Sequence, residues 1–268
     1  MSSKVLLVLV DGMRTDSIGQ CGNPEFLEFF KSGTYSFKAQ TVFPPVTLPC
    51  HISLFHSVAP NRHGITTNTF VPQIRPIKGL IELLSEHKKT SAMVYTWEQL
   101  RDICTPGGHL EYCWFERQHH GAGLYDLEHR AAAEAKRMIL EKSPDFLFLY
   151  LGGTDIWGHD FGWMSPEYLA GVENAWSCIQ EIYRDLPEDY SMIITADHGG
   201  HDRNHGENIP EDMTIPVMFR GKEFAKGLEI DGLNICDLAP TIAELLGVEP
   251  DEEWEGKSIL QMTEQGNI

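Results

Sequence analysis

Five short apolar runs, bounded by glycine, proline or charged residues, recur along the chain and constrain its fold most strongly. Their length and their β-branched and aromatic content are typical of buried strands. We predict strands over residues 5–10, 90–95, 145–151, 191–196 and 215–219, and helices over residues 77–88, 124–141, 166–184 and 237–246. This alternation predicts an α/β protein with a mostly parallel central sheet and helices on both faces.

Composition limits the size, the partners and the compartment of such a protein. With 268 residues, 42% of them hydrophobic, the chain can bury one large core. We predict a single domain over residues 1–268, in which segment 97–123 forms a small insertion near the functional site. A formal charge of −18 disfavours nucleic-acid polymers and anionic membranes as partners. The six cysteines form no CxxC pair and no signal peptide is evident, so we expect a cytoplasmic protein.

Three of the predicted strands run directly into carboxylates. Asp11 follows the first strand, Asp155 follows the third and Asp197 follows the fourth. A single aspartate after a strand is often only a helix cap or a turn residue. Because the carboxyl ends of parallel strands meet at one edge of a sheet, three such residues predict a ligand site there.

Histidines accompany two of these aspartates. In TDIWGHDFG, Asp155 and His159 are spaced so that one helical turn or a tight loop can direct both at one ion. In TADHGGHDRNHGE, Asp197 and His198 are adjacent and are expected to point to different sides, which suits two different metals. A mixed Asp/His set favours Zn²⁺, with Mn²⁺ and Fe as alternatives. Two such ions about 4 Å apart can hold both oxygens of an in-line displacement at phosphorus.

The segment TVFPPVTLPCHISLF predicts an extended stretch, a turn and then a helix that begins near Pro49. Thr47 lies at the start of this helix, where threonine is usually just a cap. Beside metal ions the same position favours an alkoxide, because the helix N-terminus stabilises anionic oxygen and a cation lowers the hydroxyl pKa. Thr47 is therefore the candidate nucleophile.

Together these motifs resemble the alkaline phosphatase superfamily, and within it the nucleotide pyrophosphatase/phosphodiesterase branch. The resemblance runs from residue 5 to about residue 220 and rests on VDGMR, VTLPCH with a downstream HGI and Asn68, TDIWGHDFG, TADHGG and HGE. It implies that Thr47 is the nucleophile and that Asn68 holds a phosphoryl oxygen. The implied ligands are Asp11, Thr47, Asp197 and His198 for one metal, and Asp155, His159 and His205 for the other. His201 is the alternative to His205.

The chain departs from the branch beside its nucleophile, where L-P-C-H replaces the family's F-P-N-H. Cys50 raises the sulfatase branch as a rival, since those enzymes modify the cysteine of C-x-P-x-R, but C-H-I-S-L lacks both the proline and the arginine. We interpret His51 as a structural helix residue.

The resemblance implies a two-step displacement through a phosphothreonine intermediate. We expect a small phosphorylated substrate, for which the branch suggests a nucleotide. We expect a diester because few cations flank the motifs. A monoesterase or phosphonate hydrolase on the same core is the alternative. A catalytically silent metal-binding protein is the alternative of another class.

Overall fold

One eight-stranded sheet forms the centre of the protein. The computed structural model describes residues 3–103, 109–117, 121 and 123–264. The strands are β1 (Lys4–Val10), β2 (Thr34–Gln40), β3 (Ser91–Tyr95), β4 (Tyr112–Phe115), β5 (Phe146–Leu151), β6 (Tyr190–Thr195), β7 (Thr214–Arg220) and β8 (Leu228–Glu229). Their order is β4-β3-β5-β1-β6-β7-β2-β8. Only β7 among them is antiparallel to its neighbours, so the sheet is mixed but mostly parallel.

Helices cover both faces of this sheet. They are α1 (Pro24–Lys31), α2 (Thr47–His56), α3 (Pro60–His63), α4 (Leu80–Glu86), α5 (Leu124–Glu141), α6 (Gly153–Phe161), α7 (Pro166–Tyr183), α8 (Pro210–Met213), α9 (Leu238–Leu245) and α10 (Ile259–Glu264). Phe55 of α2 packs on Phe146 and Phe148 of β5. Because side chains alternate along a strand, Leu147 and Leu149 point to the opposite face, where α5 packs together with α6 and α7.

The predicted fold class is confirmed, and all five predicted strands and four predicted helices are present. The helix predicted over residues 124–141 has the predicted ends, and each of the others is shifted by one to three residues at one or both ends. The patterns missed β2, β4 and β8. Strand β2 carries polar residues between apolar ones in TYSFKAQ, so it lacks the continuous apolar run of a buried strand. Strand β4 lies inside segment 97–123, part of which falls outside the described residues, and the proposed insertion stays a prediction. No helix in the described part of the chain is long and apolar enough to cross a membrane.

Two buried tryptophans occupy space that glycines leave free. A Cβ atom at Gly171 would lie 2.2 Å from Cε3 of Trp157, and one at Gly200 would lie 2.2 Å from Cε2 of Trp163. Gly158 makes a similar approach to Trp163, at 2.6 Å. The indole N–H of Trp163 donates a hydrogen bond of 2.9 Å to the carbonyl of Gly12. Both rings therefore serve packing, with exposed fractions of 7% each.

We expect Gly171→Ala to lower the free energy of unfolding by about 1–3 kcal/mol, because the added methyl group overlaps a rigid ring. Alanine ordinarily stabilises a helix interior by about 1 kcal/mol relative to glycine. A loss of stability would therefore come from the overlap with Trp157. Urea denaturation would measure it. Gly19→Ala is the control, since a Cβ atom there makes only an ordinary contact, 3.7 Å from Leu27 Cδ2. Equal stability of the two variants would contradict the packing role of Trp157.

Candidate metal centre and nucleophile

The site lies at the carboxyl edge of three adjacent strands. In the strand order β5-β1-β6, each strand leads directly into one of the predicted aspartates: Asp155, Asp11 and Asp197 respectively. The parallel register holds the strand ends level, with Val10 opposite Leu151 and Leu9 opposite Thr195. The three carboxylates are therefore brought together by the sheet itself.

The first cluster contains Asp11, Asp197 and His198, whose candidate ligand atoms all lie within 4.8 Å of one another. His198 Nε2 is 3.4 Å from Asp11 Oδ1 and 3.4 Å from Asp197 Oδ2. The Oγ1 atom of Thr47 lies 3.3 Å from the same nitrogen. The structure thus brings together all four residues that were predicted for one metal.

The second cluster contains Asp155, His205 and again His198, within the same 4.8 Å limit. His205 Nε2 lies 3.7 Å from Asp155 Oδ1, and His159 Nε2 lies 3.5 Å from that oxygen. His159 contacts Asp155 from the next turn of α6 but does not belong to the three-residue group. All three residues predicted for the other metal therefore lie together, with His198 between the two clusters.

The three histidines share one orientation. Each directs Nδ1 at a backbone carbonyl, so that Nδ1–H donates and Nε2 faces the carboxylates. The acceptors are Gly199 at 2.8 Å for His198, Arg203 at 2.9 Å for His159 and Pro45 at 2.8 Å for His205. Such a bond to the outer nitrogen fixes the tautomer in which the inner nitrogen can bind a metal.

One oxygen atom of each of the three carboxylates lacks a hydrogen-bond donor among the described residues. Asp11 Oδ1, Asp155 Oδ1 and Asp197 Oδ2 have no hydrogen-bond partner within the described part of the chain. Burial, followed by the charge of Asp197, raises the pKa of Asp11 and the pKa of Asp155 well above the ordinary value of 3.8. Burial lowers the pKa of His198 to about 4 and that of His205 to about 3, which keeps both imidazoles neutral. Neutral imidazoles around unpaired carboxylate oxygens fit divalent cations.

His201 is directed away from both clusters. Its Nδ1–H donates to Asp212 Oδ1 at 2.8 Å. The other oxygen of this fully buried aspartate accepts the backbone N–H groups of Gly206 and Glu207, each at 2.9 Å. Asp212 thereby closes the loop that carries His205, and His201 is part of this support. The geometry therefore favours His205 over His201 as a metal ligand. That His205 binds a metal stays a prediction.

Thr47 is the first residue of α2, and the preceding Val46 provides no side-chain cap. The N–H of Leu48 donates to Asn68 Oδ1 at 2.9 Å, which holds the exposed Asn68 beside the nucleophile candidate. The hydroxyl of Thr47 therefore lies at a helix N-terminus, next to the first cluster. The partial positive charge of the helix N-terminus can stabilise negative charge on its oxygen, and a cation bound at the cluster would add to this effect.

Residues 5–121 and 82–222 match the family described as type I phosphodiesterase / nucleotide pyrophosphatase. The chain belongs to this family. The two overlapping matches cover all the candidate site residues named above, and they confirm the resemblance that the motifs indicated. Metal-dependent phosphodiesterases and pyrophosphatases of the alkaline phosphatase superfamily are therefore its relatives.

Curated relatives of this family member include 2,3-bisphosphoglycerate-independent phosphoglycerate mutases. The mutase of Metamycoplasma hominis is 28% identical over 142 residues, which is 51% of this chain and 28% of the mutase. A mutase of Methanosarcina barkeri is 33% identical over 148 residues, which is 51% of this chain and 27% of the mutase. The chain spans less than a third of the length of these relatives.

Solved structures share the fold over nearly the whole chain. An inactive variant of murine ectonucleotide pyrophosphatase / phosphodiesterase 5, in complex with AMP, matches with a TM-score of 0.80 and 17% identity, over 98% of this chain and 99% of that one. The human protein of the same name matches with a TM-score of 0.79 and 17% identity, over 95% and 97% of the two chains. A 2-O GAG sulfatase matches with a TM-score of 0.74 and 14% identity, over 98% and 74%.

The position that departs from the family pattern is a buried thiol. Cys50 Sγ accepts the hydroxyl of Thr41 at 3.2 Å and contacts the carbonyl of Pro44 at 3.8 Å. Burial raises its pKa, which disfavours the thiolate. His51 is also buried, and its Nδ1–H donates to the Thr47 carbonyl at 2.8 Å, as a structural helix residue does.

Sequence patterns missed one side chain in direct contact with the first cluster. The hydroxyl of Tyr150 donates to Asp11 Oδ2. A tyrosine in the apolar strand FLFLYL was a usable signal, because a buried phenol needs a hydrogen-bond partner. Asp212 gave no such signal, because its partners are mostly backbone groups.

We expect Asp11→Asn to stabilise the metal-free protein and to reduce the stability that the protein gains from Zn²⁺. Since the folded protein raises the carboxyl pKa, the metal-free protein loses stability as the pH rises above 3.8 through the folded value. At pH 8 in chelator, the asparagine removes this repulsion and raises the free energy of unfolding. With Zn²⁺ added, the variant gains less stability than the unmodified protein.

Thermal denaturation at pH 8, with chelator and with Zn²⁺, would measure both effects. The asparagine can still accept the Tyr150 hydroxyl, so that contact is kept. A variant that is less stable than the unmodified protein in chelator would contradict the repulsion described above.

Proposed function

We propose that this chain hydrolyses small phosphate diesters, with Thr47 as the nucleophile and two divalent cations, Zn²⁺ in preference to Mn²⁺, as cofactors. The observation that carries the proposal is the position of Thr47 Oγ1 at the start of α2, 3.3 Å from His198 Nε2 and beside the first Asp/His cluster. Asp11, Thr47, Asp197 and His198 would hold one cation. Asp155, His159 and His205 would hold the other.

The reaction follows from these positions. Thr47 Oγ1 attacks phosphorus, its proton is lost to solvent, and the bond from phosphorus to the leaving alcohol breaks. The product of this step is a phosphothreonine ester at Thr47. Water then attacks the same phosphorus, the bond to Thr47 breaks, and a phosphate monoester is released. The cations would supply charge stabilisation at the entering and leaving oxygens. Asn68 holds the N-terminal turn of α2 and lies where its amide can support a phosphoryl oxygen.

Charge near the site supports a diester in preference to a monoester. A monoester dianion calls for an additional cationic group. The guanidinium of Arg14 is already engaged, since its Nη2 lies 2.7 Å from Asp16 Oδ2 and its Nη1 donates to the Gly200 carbonyl at 3.2 Å. An arginine held in this way adds little positive charge at the phosphoryl position.

The substrate class is a small phosphorylated molecule, and a nucleotide ester is the first choice. The murine relative named above was solved in complex with AMP, and it shares the fold across 98% of this chain. The net charge of −18 argues against a long polyanion. A nucleoside monophosphate esterified to a small alcohol meets both conditions.

A monoesterase or phosphoryl-transfer activity is the second candidate. The similarity to phosphoglycerate mutases, at 28% identity over 142 residues, favours this candidate specifically. The match covers only 28% of the mutase, however, so the remaining parts of that enzyme have no counterpart in the comparison. A silent metal-binding protein is the third, and it would be expected to have lost the nucleophile or several ligands.

The deciding experiment measures hydrolysis of three esters by Zn²⁺- and Mn²⁺-loaded protein: bis-p-nitrophenyl phosphate, p-nitrophenyl phosphate and a nucleotide p-nitrophenyl ester. We expect the two diesters to be preferred. Thr47→Ala should lower kcat by roughly 10⁴-fold or more, because no other hydroxyl can form the covalent ester. Thr47→Ser is the matched control, and it should keep much of the activity because it retains the hydroxyl.

Mass spectrometry after rapid acid quench would locate the phosphothreonine ester on the peptide that contains Thr47. A clear preference for p-nitrophenyl phosphate would promote the monoesterase. If the metal-loaded protein and Thr47→Ala hydrolyse every ester equally slowly, the nucleophile assignment fails and the silent metal-binding protein becomes the better reading.

A further inference from the structure

Glu128 is a buried acid that lies outside the two Asp/His clusters. Glu128 is on α5 and only 1% of its surface is exposed, yet it contacts none of the candidate ligands. A buried carboxylate without a charged partner is costly to a fold. Burial raises the pKa of Glu128 to about 7, and hydrogen bonds from Gly153 and Asn174 oppose that rise. The chain keeps this acid where an apolar residue would pack at lower cost.

The hydrogen bonds of Glu128 join three helices. Its Oε1 accepts the N–H of Gly153, the first residue of α6, at 2.9 Å. Its Oε2 accepts the side-chain amide of Asn174 on α7 at 2.7 Å. Asn174 thereby fixes the orientation of the carboxylate, and the carboxylate fixes the start of α6 against α5 and α7.

Helix α6 has no cap of its own. It begins after Gly152, which has no side chain to accept a backbone N–H, so Glu128 provides the acceptor from a different helix. Gly153 makes room for this contact, since a Cβ atom there would lie 2.8 Å from Glu128 Oε1. Gly152 thus leaves the start of α6 without a cap, and Gly153 leaves the room that the Glu128 carboxylate occupies.

The same helix carries two of the three residues of the second metal site. Asp155 lies two positions after Gly153, and His159 follows one turn later. We propose that Glu128 is a positioning residue, which fixes the first turn of α6 and so sets the affinity of the Asp155, His159 and His205 site for its cation. The inference rests on the proposed two-metal function. It assigns to Glu128 no contact with substrate or metal.

Glu128→Ala and Glu128→Gln separate positioning from general packing. Alanine removes both hydrogen bonds. Glutamine keeps them, because its carbonyl can accept from Gly153 and its amide can donate to Asn174 after the asparagine amide turns over. Glu134→Ala is the matched control on the same helix, since Glu134 pairs with Arg137 near the surface. Asn174→Ala is a milder variant that tests the same network if Glu128→Ala does not fold.

The experiment is calorimetric titration of chelator-treated, full-length protein with Zn²⁺, with Mn²⁺ as a second probe. His159→Ala identifies the binding step of the second site. We expect Glu128→Ala to weaken that step by about 10- to 100-fold and to leave the other step nearly unchanged. Glu128→Gln and Glu134→Ala should resemble the unmodified protein, and Asn174→Ala should fall between.

Equal weakening of both steps would overturn the inference, and so would a Glu128→Gln variant as impaired as Glu128→Ala. Binding of two ions without hydrolysis of any ester would reject the proposed activity while leaving the role of Glu128 fully testable by titration. Failure of the unmodified protein to bind either ion would reject both proposals.

Discussion

Mutual repulsion among three carboxylates, those of the buried Asp11 and Asp197 and of the partly buried Asp155, is the constraint on which the rest of this structure depends. Strands β5, β1 and β6 are neighbours, and each leads into an aspartate at the same edge of the sheet. Three anions in a region of low dielectric destabilise a fold unless cations or hydrogen-bond donors balance them. The Tyr150 hydroxyl donates to Asp11, and the backbone N–H groups of Gly12 and His198 both donate to Asp197 Oδ1. The remaining oxygens fit cations, so the order of the strands in the sheet creates the candidate metal centre.

The residues around these carboxylates restrict the movement of the histidines that would bind the cations together with them. The histidines are held through backbone carbonyls, and Trp163 packs its ring 5.0 Å from that of His159 and 5.9 Å from that of His205. The ring reaches this position only because Gly158 and Gly200 lack side chains. Packing thus holds the side chains that would bind the ions in place before an ion arrives. This reduces the conformational entropy that is lost when an ion binds.

The sequence predicted the elements that have strong local patterns and the residues that have distinctive chemistry. Apolar runs located β1, β5 and β6, and the aspartates at their ends predicted the site because parallel strands share an edge. The strand order could not be predicted in the same way, since any order of parallel strands has the same local pattern. Asp212 was missed because two of its partners are backbone N–H groups, which leave no signature in a sequence. Glu128 was missed because one partner is a backbone N–H group and the other, Asn174, is distant in sequence.

Thr47 and Cys50 lie three residues apart on α2, and their different surroundings explain why their side chains differ in chemistry. The thiol of Cys50 contacts Thr41 and Pro44, and burial raises its pKa. The Thr47 hydroxyl lies at the helix N-terminus beside the carboxylates, where a cation can stabilise its anion. One helical turn therefore separates a group that can be activated from a group that cannot. The likeness to sulfatases therefore extends to the fold, and the nucleophile that we propose is Thr47, not Cys50.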